Sequence, residues 1–286
     1  MRYKAFILWG IFAGVVLLGT VYITQIIDGT VHSSILNLSG ANPTGIVILV
    51  LATLLLILHS AWTMGFVKSL SLLSLSFLAG LAFEVVGVKS GIAFGGTYVY
   101  NPAIQPAVAG VPLLIPLIWA GFIYGGYAIV SSFSIWTISK TAEKSAYTIR
   151  QQAVFSALCA LVVLAIDLVM EPLQVQAGNW RWLDSGYYFD IPAGNFIGWF
   201  MLSFLVIVSF RLLQRYLPQP PESAGDHVML IPVIGYGLLC IVLAGWAISS
   251  GMMPMALIGL GTMLPVATAG IVLFVRSRML HGHTAC

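Results

Sequence analysis

Apolar residues run along this chain in long unbroken blocks separated by short polar segments, with no period-two alternation inside the blocks. The blocks fall at roughly 5–26, 46–66, 70–88, 111–137, 151–171, 194–213, 228–249 and 254–275. A helix crosses the hydrocarbon core with about 20 apolar residues, whereas strands of a membrane barrel alternate apolar and polar positions. The pattern therefore predicts an all-α integral membrane protein: one domain over 1–286, a polytopic bundle of about eight transmembrane helices. The third block is the shortest, and its connection to the second, around Lys68, is tight. At the N-terminus, Arg2 and Lys4 precede an apolar run from Ala5 to Ile26. That run exceeds a signal peptide's apolar core of about 7–15 residues, so a retained first helix is expected. Gly121 and Gly125, four apart in the fourth block, are expected to let a neighbouring helix approach closely.

Composition supports this reading. Of 286 residues, 59% are hydrophobic and only 7% charged, against about 25% charged in a soluble domain. The net charge of +3 comes from basic residues flanking the apolar blocks, without the interleaved aromatics of a nucleic-acid surface. Arg2, Lys4, Lys68, Lys140, Lys144, Arg150, Arg211, Arg215, Arg276 and Arg278 fall on one side of the predicted bundle; Lys89 and Arg181 fall on the other. This bias predicts a multi-pass protein of the cell membrane with both termini cytoplasmic. Cys159, Cys240 and Cys286 form neither a disulfide framework nor a CxxC site. No P-loop and no helix-opening GxGxxG occurs, so no nucleotide, flavin or other cofactor is expected, and no metal. Asn37 to Ser39 fits a glycosylation sequon.

Against this oily background, two windows carry most of the chemistry. Phe83 to Asn101 holds Glu84, Phe94, Tyr98 and Tyr100; Asp167 to Trp199 holds Asp167, Glu171, Trp180, Trp182, Asp184, Tyr188, Asp190 and Asn195. Only nine residues of the chain are Asp or Glu, and five lie in these windows. Glu84, Asp167 and Glu171 sit inside or at the edge of predicted spans, where a carboxylate costs roughly 2.5–3.5 kcal/mol to insert and so marks a functional site by default. The predicted topology brings the loops 89–110 and 172–193 together on the non-cytoplasmic face, with Asn195 opening the sixth helix at the same level. At about 1.5 Å per residue, Glu84 lies roughly 6–8 Å below Lys89.

Asp167 and Glu171 are four apart and share a helix face. Two desolvated carboxyl groups that close share a proton, which places a general acid beside a general base. The bland reading is that Glu171, next to Pro172, simply ends its helix at the interface. Tyr98, Tyr100, Trp180, Trp182, Tyr188 and Trp199 each suit an interfacial aromatic belt. Taken together, the two aromatic loops closing over three carboxyl groups suggest a pocket for an extended apolar ligand, whose developing positive charge aromatic faces stabilise. His59, nearer the other end of its helix, reads as a satisfied core histidine, and no HxxxH or ExxH pairing accompanies it.

Glu84, Gly87, Gly91, Phe94, Gly95, Tyr98 and Tyr100, followed by Asp167, Glu171, Pro172, Trp180, Trp182, Tyr188, Pro192, Asn195, Phe196, Gly198 and Trp199, resemble the two signatures of the membrane carotenoid 1,2-hydratases. That family includes the γ-carotene and bisanhydrobacterioruberin hydratases. The resemblance is strongest over 70–210 and departs from the pattern at Phe189 and Asp190, where a glycine is expected. It implies addition of water across the terminal double bond of an acyclic isoprenoid end group, giving a tertiary alcohol, on a carotenoid that stays in the lipid. It implies Glu84 and Asp167 as an acid–base pair, Glu171 orienting water, and Asn195 in support. Phe94, Tyr98, Tyr100, Trp180, Trp182, Tyr188 and Trp199 then hold the substrate. A carotenoid or prenyl cyclase would share the protonation step and quench the cation internally. A carboxylate-lined transporter would use charges near the midplane and inverted repeats; here the carboxyl groups cluster near one face.

Overall fold

A computed structural model describes residues 2–27, 43–137, 148–218 and 226–282. Lys140, Lys144, Cys286, His283, the side chain of His281 and the sequon at Asn37 lie outside the described residues. The chain is a multi-pass helical membrane protein. Its helices are α1 (Arg2–Ile27), α2 (Pro43–Met64), α3 (Phe66–Ser90), α4 (Leu114–Thr137), α5 (Ile149–Gln176), α6 (Ala193–Leu213), α7 (Leu230–Ser249), α8 (Met253–Thr262) and α9 (Leu264–Gly282). Helices close every backbone bond within the segment, which lipid demands. Among the described residues, eight spans are long and apolar enough to cross a membrane, α8 and α9 forming one. Pro265 lies in the first turn of α9; having no N–H to give to the preceding turn, it breaks the two apart.

Three boundaries differ from the hydropathy reading, each for a physical reason. α3 is not the shortest span: it begins at Phe66, taking in Lys68, which is 8% exposed. α4 starts three residues late because a two-stranded hairpin, β2 (Ala107–Val108) with β3 (Val111–Pro112), precedes it. α5 does not stop at Pro172 but continues through it to Gln176. Gly121 and Gly125 also behave otherwise than expected, since a Cβ at either would meet nothing within 4 Å among the described residues. The close approach to α5 is made by Gly126, whose Cβ would stand 2.9 Å from the Cys159 carbonyl oxygen.

Charge segregates along the bundle as the sequence suggests. At one end, Ala5 and Leu8 of α1 pack on Val228 and Ile231, and His59 bonds the Val228 carbonyl. At that same end Arg211, over the Phe155 ring at 3.9 Å, bonds Gln152, and Trp136 meets Phe274. These contacts gather the basic ends of α1, α5, α6 and α9. The opposite end carries two more strands, β1 (Tyr98–Tyr100) and β4 (Trp180–Trp182), paired antiparallel. The ribbon ties the α3–α4 connection to the α5–α6 connection. Asp184 extends it by accepting from the Thr97 amide at 2.7 Å. Beneath it, Gly95 at φ 65 lies so close to Gly194 that a Cβ on Gly95 would stand 2.6 Å from the Gly194 Cα. Only paired glycines let this loop seat on the start of α6.

Candidate active site

Alternation of strand side chains is what builds the site. Tyr98 and Tyr100, two apart, share one face of β1, and Trp180 and Trp182 share the same face of β4. In the observed register Tyr98 opposes Trp182 and Tyr100 opposes Trp180, so four aromatic rings with polar tips form one tile. Tyr98 and Trp182 have ring centroids 4.8 Å apart, and Tyr100 and Trp180 5.7 Å. The polar tips point at two carboxyl groups.

Glu84 on α3 accepts the Tyr98 hydroxyl (2.5 Å) and the Tyr100 hydroxyl (2.7 Å) on Oε2, and the Trp119 indole N–H (2.8 Å) on Oε1. Glu171 on α5 accepts both indole N–H groups, of Trp180 and of Trp182, on Oε1 at 2.7 Å each. Its Oε2 takes no hydrogen bond among the described residues. Burial and the neighbouring Glu84 hold the Tyr98 and Tyr100 phenols far above their usual range, so both remain hydroxyl donors. These five hydrogen bonds satisfy two carboxyl groups that are only 4% and 3% exposed, which is how their burial is tolerated here.

Glu84 and Glu171 line one cavity of about 30 Å³ together with Phe94, Tyr98, Tyr100, Trp180, Trp182, Asn195 and Trp199. That is room for a water, which needs about 10–15 Å³ on such a measure. Trp119 lies tilted against Trp199, ring centroids 3.9 Å apart, and stacks on Phe94 at 6.4 Å to complete the wall. Two residues expected here stand elsewhere. Asp167 does not line the cavity: it lies behind Asn195, whose side-chain N–H donates to Asp167 Oδ2 at 2.8 Å, while Oδ1 is buried with no partner among the described residues. Helical spacing turns it away, because residues four apart on α5 share a side of the helix but not the same neighbours across it. Tyr188 also lies outside the lining. Its hydroxyl donates to the Leu168 carbonyl at 2.7 Å, and burial, then Asp167, pushes it up to about 12. Glu171 is no interfacial helix end, since α5 runs on beyond it.

Trp119, Ile118, Met170 and Gln174 also line the cavity, and sequence reasoning passed over them. Trp119 carries a signal: an indole N–H inside an apolar span needs an acceptor, and it falls within two turns of the same end as Glu84. Gln174 carries a weaker one, a turn beyond Glu171. His59 is satisfied as expected, bonding Tyr124 at 2.5 Å and the Val228 carbonyl at 3.0 Å. Among the described residues no group of three His, Cys, Asp or Glu is placed to hold a metal ion.

The sequence profile of the carotenoid biosynthesis protein family matches residues 44–266. The chain belongs to that family. Membership gives it a role in carotenoid biosynthesis, and the matched stretch contains every residue of the cavity described above. No curated protein and no solved structure is significantly similar to the chain.

Proposed function

We propose that this family member is a hydratase that adds water to the terminal double bond of an acyclic carotenoid end group without a cofactor. The observation carrying this reading is that Glu84 and Glu171 face one water-sized, aromatic-walled cavity, one oxygen of Glu171 being left free.

In this reading Glu171 delivers the proton from Oε2 to the less substituted alkene carbon. The alkene electron pair forms the new C–H bond, and positive charge appears on the tertiary carbon. The faces of Trp119, Trp182 and Trp199 and the carboxylate of Glu84 stabilise that charge. A water adds through oxygen and gives a proton to Glu84, producing the tertiary alcohol, and proton return to Glu171 resets the site. No electrons enter or leave. Asn195, held by Asp167, orients the water. Asp167 thus acts through Asn195 rather than as half of the acid–base pair. The acidic end of the bundle faces away from the cytoplasm, and the substrate stays in the lipid of the cell membrane throughout.

The test is incubation of the purified protein with an acyclic carotenoid in deuterated water and, separately, in heavy-oxygen water. A hydratase places one solvent hydrogen on carbon and one solvent oxygen in the hydroxyl. Deuterium without oxygen means a cyclase, neither label means no chemistry on this bond, and oxygen drawn from dioxygen refutes hydration.

A further inference from the structure

A second cavity, of about 320 Å³, lies between α2, α4 and α7 and is walled by Leu49, Leu56, Phe122, Ile166, Pro232 and Leu239. Along α4 it extends from Leu117 to Ile129, twelve residues or roughly 18 Å of helix. Gly121 and Gly125 form its floor, and the open space above both is what keeps it wide. His59 and Tyr124 also line it and bond each other at 2.5 Å, so their polar atoms are satisfied by one another. Leu49 of α2, which lines the cleft, is 40% exposed and so lies at its rim.

At its near end the cleft meets the candidate active site. Ile118 lines both cavities, and Phe122 of the cleft packs against Trp199 of the site at 6.2 Å. A larger groove of about 980 Å³ along α5 shares no lining residue with the carboxylate cavity. The carboxylate cavity itself admits a water but no hydrocarbon chain. An alkene presented to Glu171 must therefore trail its chain through a neighbouring space, and the cleft adjoins at Ile118.

We propose that the α2–α4–α7 cleft holds the acyclic isoprenoid chain of the substrate. The chain slides in from the bilayer past Leu49, lies over Gly121 and Gly125, and passes its end group across Ile118 to the carboxyl groups. The occupant follows from the family's role, from the apolar lining and from the shared wall. This rests on the hydratase reading for the chemistry at the end group, but not for binding.

Gly121→Leu and Gly125→Leu fill the cleft without touching a carboxyl group. Leucine favours a helix over glycine, so both variants should fold. Binding is read as acyclic carotenoid retained by the purified protein from a producing host. Kinetics are read on that carotenoid and on a short acyclic isoprenoid alkene with the same end group. Each variant should retain about tenfold less carotenoid and raise KM for it about tenfold, with kcat and the short alkene nearly unchanged. Unchanged retention and KM in both variants would overturn the inference. So would mass spectra showing that the leucine variants lose only phospholipid while carotenoid stays bound. If wild-type protein binds carotenoid without hydrating it and the variants lose that binding, the cleft assignment stands and the hydratase reading fails.

Discussion

The hydroxyl of Tyr188 donates to the backbone carbonyl of Leu168 at 2.7 Å, the one carbonyl of α5 that Pro172, four residues on, leaves without its helical N–H. A loop residue thereby repairs the helix at the turn carrying Asp167 and Glu171. The helix continues past the proline to Gln176, and Glu171 stays buried. Tyr188→Phe should cost about 1–3 kcal/mol, the penalty of a buried carbonyl left unpaired. In a Pro172→Ala background the N–H returns, and the same substitution should cost markedly less. Thermal unfolding of the four proteins in detergent gives the coupling; equal costs in both backgrounds would refute it.

Glu84→Gln and Glu171→Gln should each lower hydration by about 10²–10⁴-fold while the protein still expresses, the range for a lost general acid or base. The depth of Glu171 makes it as sensitive as Glu84. Asp167→Asn should cost less than either, because it acts through Asn195. Turnover near normal in Glu171→Gln would remove it from the mechanism.

Trp180→Phe and Trp182→Phe each remove one of two N–H bonds to the same Glu171 oxygen. Either change alone leaves one donor, whereas the double change leaves the carboxyl group with none. Activity loss should therefore be strongly non-additive, with an interaction of about 0.5–3 kcal/mol in the double-mutant cycle. Additive losses would mean that the indoles serve only as walls.

Because Tyr98 and Tyr100 are held far above the usual phenol range, neither ionises as pH rises through about 10, where a free tyrosine does. Hydration rate against pH should show no phenolic limb there. Tyr98→Phe should lower the rate by the same factor at pH 7 and at about pH 10.

Phe189 and Asp190 occupy left-handed backbone, φ 51 and 63, in the tight turn that pairs Tyr188 with Ile191. An L side chain there costs roughly 1–2 kcal/mol relative to glycine's freedom, which is why glycine is the expected residue. Phe189→Gly should raise the melting temperature without changing turnover. A lowered one would mean that the T-shaped contact of Phe189 with Tyr188 at 5.0 Å outweighs the strain.

Orientation is open to reporter fusions. A reporter after Arg215 should read cytoplasmic and one near Ser185 external. The reverse pattern would put the carboxylate cavity on the cytoplasmic side.

The sequence by itself determined the membrane spans, their number and the end of the bundle at which the carboxyl groups meet. A span in lipid must satisfy its backbone within itself and show apolar surface along its length, so local composition is enough. Counting helix directions then brings Glu84, Glu171 and Asn195 to one end. It did not determine which groups face one another. Tyr98 and Tyr100 were expected to line a pocket with Trp180 and Trp182, but only the β1–β4 register showed which ring opposes which and that their polar tips reach Glu84 and Glu171. Asp167 looked like a partner of Glu84 until the packing of α5 on α6 put Asn195 in front of it. Gly121 and Gly125 suggested a tight helix contact, yet they border open space, while Gly126 makes the contact. Each of these was decided by register and rotation between segments far apart in sequence. An ångström-scale difference there changes which atoms touch and leaves the hydropathy of every segment as it was.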